Sequence, residues 1–197
     1  MFAMFLIFAA FSLTGCSLLQ NELGAMKSAL KGREAIVQSY DEESNVIDRV
    51  EANSIDIRPE DMFATVDSNG TKVKNSGVLS IMVGGKPMMH VGSSLILAEK
   101  GLPNVFEEFA KTTNINNLDR STPFINRMVN SVSNLTTGKK LLILIRSQSG
   151  KPLATFAGDK VSYFATDVDK STGILIDGKY LFIYRCDFSI YDLSLIK

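Results

Sequence analysis

The chain repeats itself, and this constrains its fold more than any other feature. Gly32-Arg33-Glu34-Ala35-Ile36-Val37 can be laid over Gly138-Lys139-Lys140-Leu141-Leu142-Ile143, an offset of 106 residues. At the same offset Asn45-Val46-Ile47-Asp48-Arg49-Val50 falls on Lys151-Pro152-Leu153-Ala154-Thr155-Phe156, and further on Phe63-Ala64-Thr65 recurs as Phe164-Ala165-Thr166. Ile81-Met82-Val83-Gly84-Gly85-Lys86 then matches Ile174-Leu175-Ile176-Asp177-Gly178-Lys179 at an offset of 93, so the first copy is longer by 13 residues in its middle. Two unrelated β-meanders would also share alternation and glycine turns. Matches that keep their order over about 60 residues favour duplication of one supersecondary unit.

Each copy reads as antiparallel strands. Leu141 to Ile145 is a continuous aliphatic run, as for a strand buried on both faces. Ser149-Gly150 supplies a turn and Pro152 to Ala157 a second strand. Asp177-Gly178 is a two-residue hairpin signal, because both central positions of a type I′ turn need positive φ; it joins Gly173–Ile176 to Tyr180–Arg185. Copy one has Gly84-Gly85 at the same place. Its longer middle holds Asn69-Gly70, a further hairpin turn flanked by Phe63–Val66 and Thr71–Lys74. Phe188 to Leu193 alternates and reads as a half-buried final strand, and Cys186 is expected as a small buried thiol in a strand.

Helical signals lie between the copies. Thr122-Pro123 is a cap followed by a first-turn proline, and Phe124, Ile125, Met128, Val129 and Val132 then share one helical face. A shorter helix is expected from Pro103, with Val105, Phe106 and Phe109 inward. Gly101, Thr112-Thr113-Asn114 and Gly138 punctuate this stretch as turns. The expected fold is mainly β with α (α+β). Two tandem similar antiparallel modules, small barrels or sandwiches, occupy 32–99 and 138–197, and a helical connector occupies 100–137. Related modules should keep one strand order and register, with the two glycine turns coinciding and Ser93 at the place of Cys186, since a one-residue slip would turn each aliphatic face to solvent.

Ahead of the first copy, Phe2 to Leu13 carries no charge and ends in small residues, the shape of a secretory signal segment. It is too short to cross a bilayer, which takes about 20 apolar residues. Leu13-Thr14-Gly15-Cys16 has the order of the bacterial lipobox, in which the cysteine thiol receives a diacylglycerol and the chain is cut just before it. The division expected is a signal peptide over 1–15 and a lipidated N-terminus with a short helix over 16–31, the helix carrying Leu18, Leu19, Leu23, Met26 and Leu30 on one stripe and weakened by Gly24. No Lys or Arg precedes the apolar run, so either the terminal amine serves alone or, the favoured reading, the start lies upstream of Met1. With Cys16 lipidated, Cys186 has no partner for an intramolecular disulfide.

Lys plus Arg equals Asp plus Glu at 21 each, which argues against nucleic acid and gives no support to a polybasic membrane contact. No catalytic motif stands out. His90, the only histidine, has neither a nucleophile elbow nor partner metal ligands in the sequence and reads as structural. Ser28-Ala29-Leu30-Lys31 fits S-x-x-K without its companion motifs. Asp41-Glu42-Glu43, Asp167 and Asp169 lie at expected turns without calcium-loop spacing. No catalytic residue, metal or cofactor is expected, apart from the covalent diacylglycerol at Cys16. Tyr180, Phe182 and Tyr184 share one strand face, which reads first as packing against the connector helix, with a stacking surface for sugar or peptide as the other use.

The lipobox at Cys16, together with Pro123-Phe124-Ile125-Asn126-Arg127-Met128-Val129-Asn130, Ile145-Arg146-Ser147-Gln148-Ser149-Gly150-Lys151-Pro152 and Ile176-Asp177-Gly178-Lys179, resembles a family of uncharacterised lipoproteins of Gram-positive bacteria. The resemblance covers most of the chain after Cys16. It implies an extracellular, lipid-anchored, β-rich protein with no assigned activity and no functional residues to carry over. The function expected is a non-enzymatic binding or scaffold protein, anchored on the outer face of the cell membrane, with an envelope protein or glycan as partner and no nucleic acid. The alternative is a hydrolase of envelope glycan or peptidoglycan, whose carboxylates, Asp187 and Asp192, would have to converge in a cleft.

Overall fold

A computed structural model of the protein describes residues 33–112 and 122–196. The signal segment, Cys16, the 16–31 helix, Ser28 and Lys31, and Thr113-Asn114 of the connector lie outside the described residues, as do the side chains of Phe124 and Ile125.

The first half runs β1 (Glu34–Tyr40), β2 (Val46–Asn53), β3 (Ile55–Pro59), β4 (Thr65–Val66), β5 (Lys72–Lys74), β6 (Leu79–Val83), β7 (Lys86–His90) and β8 (Ser94–Glu99). Three helices follow: α1 (Val105–Thr112), α2 (Thr122–Ser131) and α3 (Ser133–Thr136). The second half runs β9 (Leu141–Arg146), β10 (Pro152–Gly158), β11 (Val161–Ala165), β12 (Ser171–Ile176), β13 (Lys179–Tyr184) and β14 (Asp187–Asp192). The fold is thus mainly β, and every described strand pair is antiparallel.

The central sheet has the order β11-β12-β13-β8-β1-β2. The sheet β3-β6-β7 packs on one face of it, through Ile55, Ile57, Leu79 and Ile81 against Val37, Leu95, Leu97, Phe182 and Tyr184. The sheet β10-β9-β14 packs on the other, through Ile143, Ile145 and Phe156 against Ile96, Ile174, Ile176, Leu181 and Ile183. The outer face of that third sheet, Leu142 and Leu144, is covered by Val105 and Phe109 of α1, Met128 of α2 and Val132. This layering explains the continuous aliphatic runs. β8 and β9 are covered on both faces, so alternation no longer separates apolar from polar positions. The layers are open sheets, which corrects the small-barrel alternative.

The pairings of the first half recur in the second. Val37 faces Val50 and Leu97, and 106 or 93 residues later Ile143 faces Phe156 and Ile190. Ile55 faces Val83 as Val161 faces Ile176, and Ile81 faces Met88 as Ile174 faces Leu181. This register sets Arg58, and not Phe63, at the place of Phe164, which corrects the match of Phe63-Ala64-Thr65 to Phe164-Ala165-Thr166. Even the ladder slip recurs, with Tyr40 opposite Val46 and Arg146 opposite Pro152. Gly84-Gly85 and Asp177-Gly178 both carry positive φ at the two turn positions, as a type I′ hairpin requires. The halves differ at their meeting line, where β13 pairs with β8: Phe182 faces Leu97 and Tyr184 faces Leu95.

Asn69-Gly70 falls in the turn of the β4-β5 hairpin, as expected. Gly70 N–H donates to Asp67 O at 3.1 Å and Asp67 N–H to Thr71 O at 2.9 Å, and the left-handed conformation falls on Gly70 at φ +77°, a type I turn closed by a bulge. Asp41–Asn45 and Ser147–Lys151 are built the same way, with Ser44 and Gly150 in the left-handed position. The helix expected from Pro103 starts at Val105, because the Asn104 side chain is the cap, accepting from Phe106 N–H at 3.1 Å.

Candidate functional site

A polar groove of about 250 Å³ lies where β1, β2 and the end of β8 meet, lined by Glu34, Ala35, Ile36, Glu51, Asn53 and Lys100. Pairing creates it: Glu34 lies opposite Asn53 and Ile36 opposite Glu51, which brings two carboxylates and an amide to one face of the sheet. Lys100 is pinned there by its N–H donating to Glu34 O at 2.8 Å, and its ammonium pairs with the Glu34 carboxylate. That hydrogen bond and charge push the Lys100 pKa up, so the amine stays a cation. Behind the groove Glu99 is buried and held from three sides, by Arg33 at 2.9 Å, Tyr180 N–H at 3.1 Å and Lys179 at 3.8 Å. This described lining can hold a polar ligand by hydrogen bonds and charge. Its charged groups are the Glu34 and Glu51 carboxylates and the Lys100 ammonium.

The second exposed feature is apolar. Met62, Phe63, Val66 and Val73 are 87%, 57%, 55% and 61% exposed. All four lie in the 3-10 turn at Asp61–Phe63 and the β4-β5 hairpin, within the stretch that makes the first half longer. The hairpin is tied down by Lys72 to Asp61 at 2.7 Å, and its base by Asn75 Nδ2 donating to Asp167 O at 2.8 Å. Exposed apolar side chains on a fixed support are a usual mark of an interaction surface.

The residues singled out from sequence fare differently. Cys16 lies outside the described residues. Tyr180, Phe182 and Tyr184 share one face, as alternation requires, but that face turns inward: Phe182 and Tyr184 are 1% and 2% exposed and Tyr180 packs on the same cluster. The stacking surface is therefore corrected to a core position, because β8 pairs beside β13 and the β3-β6-β7 sheet covers it. The Tyr184 hydroxyl donates to Gly77 O at 2.6 Å. His90 is buried, hydrogen-bonded to Ser93 O at 2.9 Å and edge-on to Tyr184 at 5.8 Å. Cys186 lies between β13 and β14 and not in a strand, because Arg185 at φ +52° turns the chain there. Its thiol is packed against the β9-β10 core, and burial pushes its pKa up to about 12. Asp187 and Asp192 do not converge. They stand at opposite ends of β14, about 17 Å apart at the usual strand rise, and alternation sends their side chains to opposite faces. Asp192 is occupied in capping Ser194 N–H at 2.8 Å.

Asp41 accepts from Asn45 side-chain and backbone N–H, which holds its carboxyl below the usual range. Among the described residues no group of three or more His, Cys, Asp or Glu is placed to hold a metal ion, and no helix is long and apolar enough to cross a membrane.

Sequence reading missed the groove because its lining is assembled from strand ends remote in sequence. The hairpin surface had a signal, Met62-Phe63 beside a turn that has no structural use for two large apolar side chains.

The class this defines is a layered antiparallel β protein with a helical cover. The chain belongs to the family described as Domain of unknown function (DUF5052), whose model matches residues 1–196. Neither the curated proteins nor the solved structures contain a match.

Proposed function

We propose that this chain is an extracytoplasmic lipoprotein, anchored to the outer face of the cell membrane through a diacylglycerol on Cys16, that displays two copies of one β sandwich as a non-enzymatic binding or scaffold protein of the envelope. The observation that carries the reading is Leu13-Thr14-Gly15-Cys16 closing an uncharged apolar segment. Two acyl chains hold a protein far more firmly than one, since each buried CH₂ adds about 0.8 kcal/mol. The modules are 32–99 and 138–197, with 100–137 as connector. Their duplication is supported by strand pairings, a ladder slip and hairpin turns that correspond at the offsets of the sequence repeat. In each module three strands (β2-β1-β8 or β10-β9-β14) face three others (β3-β6-β7 or β11-β12-β13). Binding to an envelope protein or glycan is assigned to the exposed apolar hairpin of the first module and the polar groove beside β1.

Metabolic labelling with a fatty-acid analogue tests the anchor. Label is expected on the wild type and lost in Cys16→Ser, with the variant released or held as precursor. Unchanged label on Cys16→Ser refutes the lipoprotein reading.

A further inference from the structure

The junction between the halves is used once, and each half carries the unused side of it. β13 of the second half pairs with β8 of the first. The strand corresponding to β13 is β7, the strand corresponding to β8 is β14, and each is the last strand of its three-stranded sheet. At the junction Phe182 and Tyr184 are 1% and 2% exposed. The residues in their places are Met89 on β7 and Val91 one residue past its end at His90; both are apolar, and they are 58% and 66% exposed. On the other side, Leu95 and Leu97 of β8 correspond to Phe188 and Ile190 of β14, both only partly buried.

The backbone agrees. Val83 and Lys86 flank a two-residue turn and so exchange both their hydrogen bonds. Alternation then points the N–H groups of Met89 and Val91 away from β6, as those of Phe182 and Tyr184 point away from β12 toward β8. Pro87, which has no N–H, stands where Tyr180 stands, and Tyr180 N–H donates to the Glu99 carboxylate and takes no part in the strand ladder.

We propose that β7 of one molecule adds to β14 of a second copy of this chain, with Met89 opposite Ile190 and Val91 opposite Phe188, repeating between molecules the pairing that joins the halves within one. This rests on the two-module reading. The donor and acceptor edges are different surfaces, so the contact is head-to-tail and propagates into a filament or ring; it does not stop at a dimer. Confinement on a membrane would raise the effective concentration for such growth. One position departs from the junction: Ser94, whose hydroxyl donates to Arg185 O at 2.8 Å, corresponds to Asp187, which has no proton to donate when ionised.

Sedimentation of the full-length protein in detergent tests this. The wild type is expected to form a concentration-dependent series beyond the dimer. Met89→Lys and Met89→Pro are expected to stay monomeric, since the side chain is exposed and its N–H is not used toward β6. Asp187→Ser restores the missing hydroxyl and is expected to shift association to lower concentration. Amide hydrogen exchange separates the two claims. In concentrated wild type Met89, Val91 and Phe182 should all be protected; in Met89→Lys, Val91 should exchange freely while Phe182 stays protected. Fast exchange at Phe182 overturns the junction and with it the two-module reading. A wild type that stays monomeric up to millimolar concentration, or whose association both Met89 variants leave unchanged, overturns the assembly alone.

Discussion

Gly173 is the position at which one added carbon should disturb the fold most measurably. It lies on β12 opposite Phe164, and the ring sits over the space a side chain would take. A Cβ built on Gly173 would stand 2.2 Å from Phe164 Cε2 and 2.3 Å from Cζ. Carbon atoms in contact prefer about 3.5–4.0 Å, so the ring must retreat by more than about 1 Å. Phe164 is 4% exposed and packed against the core that includes Val168 and Phe182, so the retreat compresses neighbours. Overpacking of this kind costs about 1–3 kcal/mol. For a chain of this size each kcal/mol lowers Tm by about 2–4 °C, so Gly173→Ala is expected to lose roughly 2–12 °C. Thermal denaturation followed by circular dichroism reads it. The corresponding pair in the first half shows the alternative solution: Ser80 lies opposite Arg58, whose side chain is exposed and leaves room. Phe164→Leu should therefore relieve part of the strain, and the double variant should be more stable than the sum of the single effects by about 0.5 kcal/mol or more. An unchanged Tm in Gly173→Ala, or strict additivity with Phe164→Leu, would refute the reasoning.

Three further outcomes are expected. Cys186 should label slowly with a thiol reagent at pH 8 in the folded protein and rapidly in denaturant, because burial keeps the thiol protonated with a pKa of about 12; rapid labelling of the native state contradicts this. Tyr184→Phe removes the donor to Gly77 O and should cost about 1 kcal/mol in chemical denaturation, with the secondary structure unchanged. Asp177 is held below the usual carboxylate range by the hydrogen bond from Lys139 at 2.8 Å and by the Lys160 and Asp159 N–H groups. A depressed folded pKa stabilises above the unfolded carboxylate value and loses that contribution as pH falls through the folded one. The stability gap between wild type and Asp177→Asn should thus be constant near neutral pH and close on acidification, a small effect at so exposed a site; a gap independent of pH refutes it.

What sequence could reveal depended on how local its physical cause was. Gly84-Gly85 and Asp177-Gly178 were legible because positive φ at two adjacent positions is a demand of the turn itself. The aliphatic run at Leu141–Ile145 was legible as a strand buried on both faces, but not what covered each face, since that depends on sheets formed by remote segments. The same limit holds for Tyr180, Phe182 and Tyr184, whose expected packing is found against the β3-β6-β7 sheet and not against the connector. Alternation gives the shared face, while the pairing of β13 with β8 decides that it turns inward. Asp187 and Asp192 failed as a pair on parity, a count that needs β14 to begin at Asp187, one residue before the strand expected from sequence. Asn69-Gly70 was legible as a hairpin turn, and the Asp67 carboxylate, accepting from the N–H groups of Asn69 and Thr71, sets the form it takes. The groove at Glu34, Glu51 and Lys100 had no local signal, since it exists only once β1, β2 and β8 are side by side.

The central claim, a lipid-anchored display protein, is tested most directly by mass spectrometry of the protein recovered from cell membranes. The account predicts an N-terminal peptide that begins at Cys16 and carries a thioether-linked diacylglycerol, with nothing upstream of that residue. A mature chain that retains Gly15, or one that begins elsewhere with Cys16 unmodified, would contradict it.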